Sequence, residues 1–146
     1  MSKYTIRNLE ETDYKLGYMD CINELTEPVN VAEKDFINRL KFLRNKQDYH
    51  SIVVVDDQSG LIVGCGTLFL EYKFIRGLVT KGHIEDVVVK EDKRGSGIGT
   101  LIINHLISIA KEKNCYKISL VCNRDNVKFY KKCGFQEKEV EMVKYT

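Results

Sequence analysis

The stretch from Gly82 to Lys113, GHIEDVVVKEDKRGSGIGTLIINHLISIAKEK, constrains the fold more than any other part of the chain. Ile84, Val87, Val88 and Val89 are β-branched, and the polar run from Lys90 to Arg94 closes them off, the pattern of a buried strand and its end. Further on, Ile98, Leu101, Ile102, Leu106, Ile107 and Ala110 recur at spacings of one, three and four, which puts them on one wide helical face. Between strand and helix, Arg94-Gly95-Ser96-Gly97-Ile98-Gly99 alternates side chains with glycines, so bare backbone N–H groups can approach a ligand. The helix start adds unpaired N–H donors and the positive end of the helix dipole. Together they predict an anion cradle, and phosphate is its usual guest.

The spacing restricts the kind of phosphate. A nucleoside triphosphate loop requires a Lys directly after its last glycine, where this chain has Thr100. A dinucleotide loop requires G-x-G-x-x-G near the start of a βαβ unit; here the spacing is G-x-G-x-G, past mid-chain. A solvated glycine-rich turn ahead of a surface helix remains the alternative. At 146 residues the chain is expected to be one domain, 1–146, with a sizeable core. Its 23 Lys and Arg nearly balance its 21 Asp and Glu, so no overall field argues for nucleic acid or membrane partners. Five cysteines with no C-x-x-C pair and three scattered histidines predict reduced thiols, no metal site and a cytoplasmic location.

In chain order, Tyr4 to Arg7 reads as a first strand, and Thr12 as the N-cap of a helix running to about Glu24. Pro28 breaks it. Asn30 with Glu33 predicts a capped helix with the stripe Phe36, Ile37, Leu40 and Leu43. His50 to Val55 and Leu61 to Tyr72 bracket the turn residues 56–60 as a hairpin. After a basic connector from Lys73 to Lys81 and the central unit, Lys117 to Cys122 reads as a strand. Asp125 to Lys132 reads as a helix stopped by Gly134, and Phe135 to Tyr145 as one or two late strands. The order predicts an α/β (α+β) chain: one mixed, mostly antiparallel sheet with helices on both faces.

Glu85 and Asp86 interrupt an apolar strand, and a buried carboxylate is costly unless it is paired. Neighbouring strand residues point to opposite faces, so the pattern predicts that only one of the two faces any given cleft. Pairing to a nearby Lys or Arg is the structural alternative. Tyr130, in NVKFYKKCGF, reads from its segment alone as a core tyrosine. Lys73, Arg76 and Lys81 form a loose basic group that is either solvated or a phosphate contact.

Four stretches resemble one acetyl-CoA-dependent family. They are IRNLEETD (Ile6 to Asp13), GHIED with the RGSGIG loop (Gly82 to Gly99), NCYKISLVC (Asn114 to Cys122) and NVKFYKKCGF (Asn126 to Phe135). Arg94, Gly97 and Gly99 match the R-x-x-G-x-G pyrophosphate loop of the GNAT superfamily, and the four together resemble its glucosamine 6-phosphate N-acetyltransferases. The resemblance implies that Val87, Val88 and Val89 pair with the pantetheine arm of acetyl-CoA. It implies that Arg94, Gly95, Ser96, Gly97, Ile98, Gly99 and Thr100 hold the pyrophosphate, with Asn126 and Tyr130 at the acetyl and sulfur end. Glu85 and Asp86 would position the sugar and receive its ammonium proton, Tyr130 would protonate the leaving thiolate, and Thr26, Lys73 and Arg76 would contact the sugar phosphate. The amine would attack the thioester directly, through a tetrahedral intermediate. It further implies a homodimer whose C-terminal strand helps complete the neighbour's site, so that Tyr145 acts in trans. Two positions depart from the family pattern: Val121 stands where many members have an acid, and Tyr145 where they have a base. Another small amine or a peptide N-terminus as acceptor, or a non-catalytic acyl-CoA-binding domain, are the alternatives.

Overall fold

The computed structural model describes residues 3–146. Five strands form one open sheet whose spatial order follows the sequence: β1 (Tyr4–Asn8), β2 (Tyr49–Asp56), β3 (Ile62–Tyr72), β4 (Thr80–Val89) and β5 (Cys115–Leu120). β1 to β4 pair antiparallel, and only β4 and β5 run parallel. The parallel pair needs a long crossover, which the helix α4 (Ile98–Glu112) supplies, after α1 (Tyr18–Ile22), α2 (Glu33–Arg44) and the short α3 (Ile75–Leu78) earlier in the chain. Asn114 ends that crossover in the left-handed conformation (φ 59°), its N–H bonded to the Lys111 carbonyl at 3.0 Å, a place where Asn is tolerated.

α4 lies on one face of the sheet, burying Ile98, Ile102, Ile103, Leu106 and Ala110 against Ile52, Val54, Leu68 and Ile84. The expected stripe is rotated slightly: Ile103 is buried and Leu101 is 43% exposed. Two glycines on β3 allow the helix this close. A Cβ on Gly66 would lie 2.8 Å from Ile102 Cγ2, and one on Gly64 3.0 Å from Ile98 Cγ2. The short helix α5 (Val127–Lys132) joins the same face through Phe129 and Tyr130.

The other face carries a 3-10 turn (Glu11–Tyr14), α1 (Tyr18–Ile22) and α2 (Glu33–Arg44), which cover Val53, Cys65 and Val88 through Cys21, Phe36 and Leu40. The single helix expected after Thr12 is thus two pieces, because Gly17 takes φ 90° between them. α2 begins after Ala32 without a side-chain cap, so Asn30 does not play its expected part. Asp13 explains the IRNLEETD motif. It is fully buried, accepts two bonds from Arg7 (2.7 and 2.8 Å) and one from the Glu10 N–H (2.8 Å), and so pins the turn to β1.

Two further expectations fail. β5 begins two residues early and stops at Leu120, leaving Val121 and Cys122 outside it. Residues 135–146 form no strand, and Val140 (83%), Met142 (88%) and Tyr145 (94%) stand in solvent. Their alternating pattern is present, but a strand needs a partner edge within hydrogen-bonding distance. Here a cleft of about 890 Å³ lies between β5 and the C-terminal stretch.

Candidate active site

The site begins with a break in β4. Thr67 pairs with Glu85 and Cys65 with Val88, so two residues of β4, Asp86 and Val87, stand against Gly66 alone. That is a β-bulge, with the extra residue Asp86 in the left-handed region at φ 52°. The bulge overturns the expected alternation at the carboxylates. Glu85 and Asp86 are both exposed, and Asp86 acts electrostatically on Glu85 and on Tyr18 and Cys65 of the α1 face. Burial first, then the Asp86 charge, pushes the Glu85 carboxyl above the usual range, which makes it a better proton acceptor. Neither carboxylate has an ion-pair partner among the described residues, so the pairing alternative does not hold.

Beside the bulge the sheet opens. β4 and β5 stay paired only as far as Ile84 and Leu120, while β4 continues to Val89. The side chains of Val87 and Val89 pack toward α4 and that of Val88 toward α1, which leaves backbone on the freed edge. Such an edge can take an extended chain as an added strand.

β4 leads through a 3-10 turn (Glu91–Lys93) into the glycine loop. Arg94 is exposed and its Nε donates to the Val89 carbonyl at 3.2 Å; Ser96 Oγ donates to the Lys93 carbonyl. Gly95 and Gly97 take φ 83° and 87° with open space where a Cβ would stand, so it is conformation that requires glycine there. Gly97 is also the N-cap of α4, and Ile98, Gly99 and Thr100 supply its first unpaired N–H groups. Gly99 is a glycine for a different reason: a Cβ would meet Phe129 Cζ at 3.1 Å. The loop can therefore take a pyrophosphate, and α5 is docked against its base.

α5 brings Asn126 and Tyr130 to this place. Asn126 is the exposed residue before the helix, set by a 3-10 turn that the Asn123 side chain caps at 2.9 Å. The Tyr130 ring stands edge-on to Phe129 and Phe135, with centroids 5.0 and 6.0 Å away. It is therefore part of the core, but its hydroxyl makes no hydrogen bond among the described residues, and a buried phenol is normally satisfied. Burial, with Cys122 and Cys133 adding, pushes its pKa up, so it keeps its proton at neutral pH.

The expected phosphate contacts are spread out. Lys73 Nζ is held by Glu71 at 3.1 Å, and Arg76, left-handed at φ 53°, lies over the Tyr116 ring at 5.4 Å. Both precede β4. Thr26 is exposed at the other end, two residues after Glu24, whose carboxylate accepts the Glu91 N–H at 2.8 Å. Val121, 58% exposed, lines the cleft beside β5.

The profile of the Acetyltransferase (GNAT) family matches residues 5–135. The chain belongs to that family. It is 42% identical over 142 residues to glucosamine 6-phosphate N-acetyltransferase 1 of Dictyostelium discoideum, covering 97% of this chain and 90% of the relative. It is 36% identical over 143 residues to the Arabidopsis thaliana glucosamine 6-phosphate N-acetyltransferase, covering 97% and 96%. The crystal structure of the Arabidopsis enzyme superimposes with a TM-score of 0.95 over 99% of each chain, at 34% identity.

In this GNAT chain three of the five cysteines are poor nucleophiles. The Cys65 thiol is pushed well up by contact with the Cys21 thiol and by burial, and burial also raises Cys115 and Cys133. Sequence reasoning missed one polar pair beside the Glu85 and Asp86 carboxylates. His83 Nε2 lies 2.9 Å from Glu71 Oε1, and its ring stacks on Phe69 at 4.4 Å, which stacks on Tyr49. His83 belongs to the GHIED motif and shares a parity with Glu85, a usable signal; Glu71 requires the β3–β4 register.

Proposed function

We propose that the chain transfers the acetyl group of acetyl-CoA to the amine of glucosamine 6-phosphate, giving N-acetylglucosamine 6-phosphate and CoA. The observation that carries this reading is the bulge at Asp86, which turns two unpaired carboxylates outward where the β4 edge becomes free. Val87, Val88 and Val89 offer backbone to the pantetheine arm. Arg94, Gly95, Ser96, Gly97, Ile98, Gly99 and Thr100 offer the pyrophosphate amides and one guanidinium, and Asn126 and Tyr130 flank the thioester.

In this reading Glu85, assisted by Asp86, takes a proton from the acceptor's ammonium, and the neutral amine attacks the thioester carbonyl directly. A backbone N–H near Val88 steadies the developing oxyanion. Tyr130, with a free and protonated hydroxyl, protonates the departing thiolate. The raised cysteine thiols speak against an acyl-enzyme.

Lys73, Arg76 and Thr26 hold the sugar phosphate. Because Thr26 and the two cations lie at opposite ends of β4, the reading draws one of them from a second protomer. The open β5 edge, the 890 Å³ cleft and the unpaired stretch around Val140, Met142 and Tyr145 suit a homodimer in which each C-terminal stretch fills the neighbour's cleft. Tyr145 then acts in trans. Five free cysteines suit a reducing compartment such as the cytoplasm.

Incubation with acetyl-CoA and a panel of amines, read by mass spectrometry, tests the reading. Acetylated glucosamine 6-phosphate, with glucosamine itself unmodified, is the expected result. Val121 at the cleft favours the second reading, a different small amine, which product from another member of the panel alone would establish. Absence of product from every amine refutes acetyl transfer.

A further inference from the structure

We infer that His83, held by Glu71, carries the acceptor's proton away from Glu85; the inference rests on the acetyl transfer proposed above. In that reaction the ammonium nitrogen loses two protons, the CoA sulfur gains one, and one must leave the protein at every turnover. A carboxylate can take that proton but must pass it on before the next cycle. Imidazole, which titrates near neutral pH, is suited to receive it.

The fold supplies such an imidazole on the same sheet face. Glu85 pairs with Thr67 and His83 with Phe69, so the two side chains are two residues apart on one side of β4, about 7 Å, a gap that one water spans. The ring is locked by Phe69 on its face, with an interplanar angle of 9°. Glu71 bonds Lys73 through Oε2 and His83 through Oε1, and those two partners hold its carboxyl below the usual range, so it stays ionised and can only accept. The hydrogen between them therefore belongs to His83 Nε2, and Nδ1 carries the lone pair. Nδ1 has no hydrogen-bond partner among the described residues. Glu85 gives its proton through water to Nδ1, the imidazolium rests against Glu71, and Nδ1 returns the proton to solvent. The charged groups that bear on this pair are Glu71 and Lys73 from β3 and its exit, Lys81 and Asp86 on β4, Lys117 on β5 and Glu141 of the C-terminal stretch. His83 thus acts through Glu85 and does not touch the substrate.

The test is steady-state acetyl transfer to glucosamine 6-phosphate by the parent chain, His83→Gln and Glu71→Gln, across about pH 6 to 9, at rising imidazole concentration. For His83→Gln, kcat is expected to fall about a hundredfold, the low end for a placed proton-transfer group. The near-neutral limb of its kcat profile should vanish, added imidazole should restore turnover, and KM for acetyl-CoA should not move. Glu71→Gln should also alter the pH profile and lower kcat, because the acceptor that fixes the Nε2 hydrogen is gone, and it carries the test if His83→Gln does not fold. An unchanged profile, or a loss that imidazole does not relieve, overturns the relay. A parent that acetylates no amine ends the acetyl-transfer reading and the relay with it; an active parent with an unimpaired His83→Gln ends the relay alone.

Discussion

Replacing Tyr130 with Phe separates chemistry from packing at this site more cleanly than any other change. Phe keeps both edge-on contacts, to Phe129 at 5.0 Å and to Phe135 at 6.0 Å. The phenol it removes has no hydrogen bond among the described residues, so no buried partner is orphaned. Stability should therefore change by no more than about 0.5 kcal/mol, a shift in Tm of about 1–2 °C. The loss of a proton donor to the leaving thiolate should lower kcat by about 10²- to 10⁴-fold. At about 1.36 kcal/mol per tenfold, that is roughly 3–5 kcal/mol of barrier. Thiol release from acetyl-CoA measures kcat, calorimetry measures coenzyme affinity, and a melting curve measures stability. Affinity should be retained, since the hydroxyl is proposed to act only as the sulfur leaves. Because burial raises the Tyr130 pKa above its ordinary 10.0, this group should produce no fall in kcat below about pH 10. A kcat within twofold of the parent removes Tyr130 from the reaction. A large fall in Tm would show instead that the hydroxyl is a structural group.

Three other outcomes follow from the same geometry. Gly66→Ala places a Cβ 2.8 Å from Ile102 Cγ2 and 3.1 Å from Leu106 Cδ1, and should cost about 1–3 kcal/mol in urea unfolding by lifting α4 from β3. Gly97→Ala forces a side chain into φ 87° at the start of α4; about 1 kcal/mol of strain and weaker acetyl-CoA binding by calorimetry are expected, and normal affinity would count against the loop as the pyrophosphate site. Burial and Lys113 depress the pKa of His50, whose Nε2 is buried without a partner, so the folded state takes up a proton less readily than the unfolded chain. The stability this group contributes is present above its ordinary pKa of 6.5 and is lost as pH falls below it; urea midpoints near pH 7.5 and 5.5 should differ in that sense, and less so in His50→Leu.

The central unit was legible because its signals are local. β-Branched residues, a polar stop, positive-φ glycines and a stripe of period 3.6 each act within a few residues of chain, and β4, the loop and α4 appear where they indicate. The hairpin of β2 and β3 was legible for the same reason. The C-terminal stretch misled because its alternation is real while its pairing depends on an edge that the rest of the chain does not bring to it. At Gly99 the sequence points to a ligand, but the aromatic ring that requires the glycine lies thirty residues on.

By itself the sequence determined the order of elements, the anion-binding loop and the candidate residues, since spacing and backbone permissiveness are properties of a short segment. Only the tertiary structure decided which side chains share a space. The extra residue in β4 that turns Glu85 and Asp86 outward together, the parting of β4 from β5 after Ile84, and the bond from Glu71 to His83 all arise from register between strands. Register is set by the whole sheet as it fits its two helical layers, and no single segment encodes it.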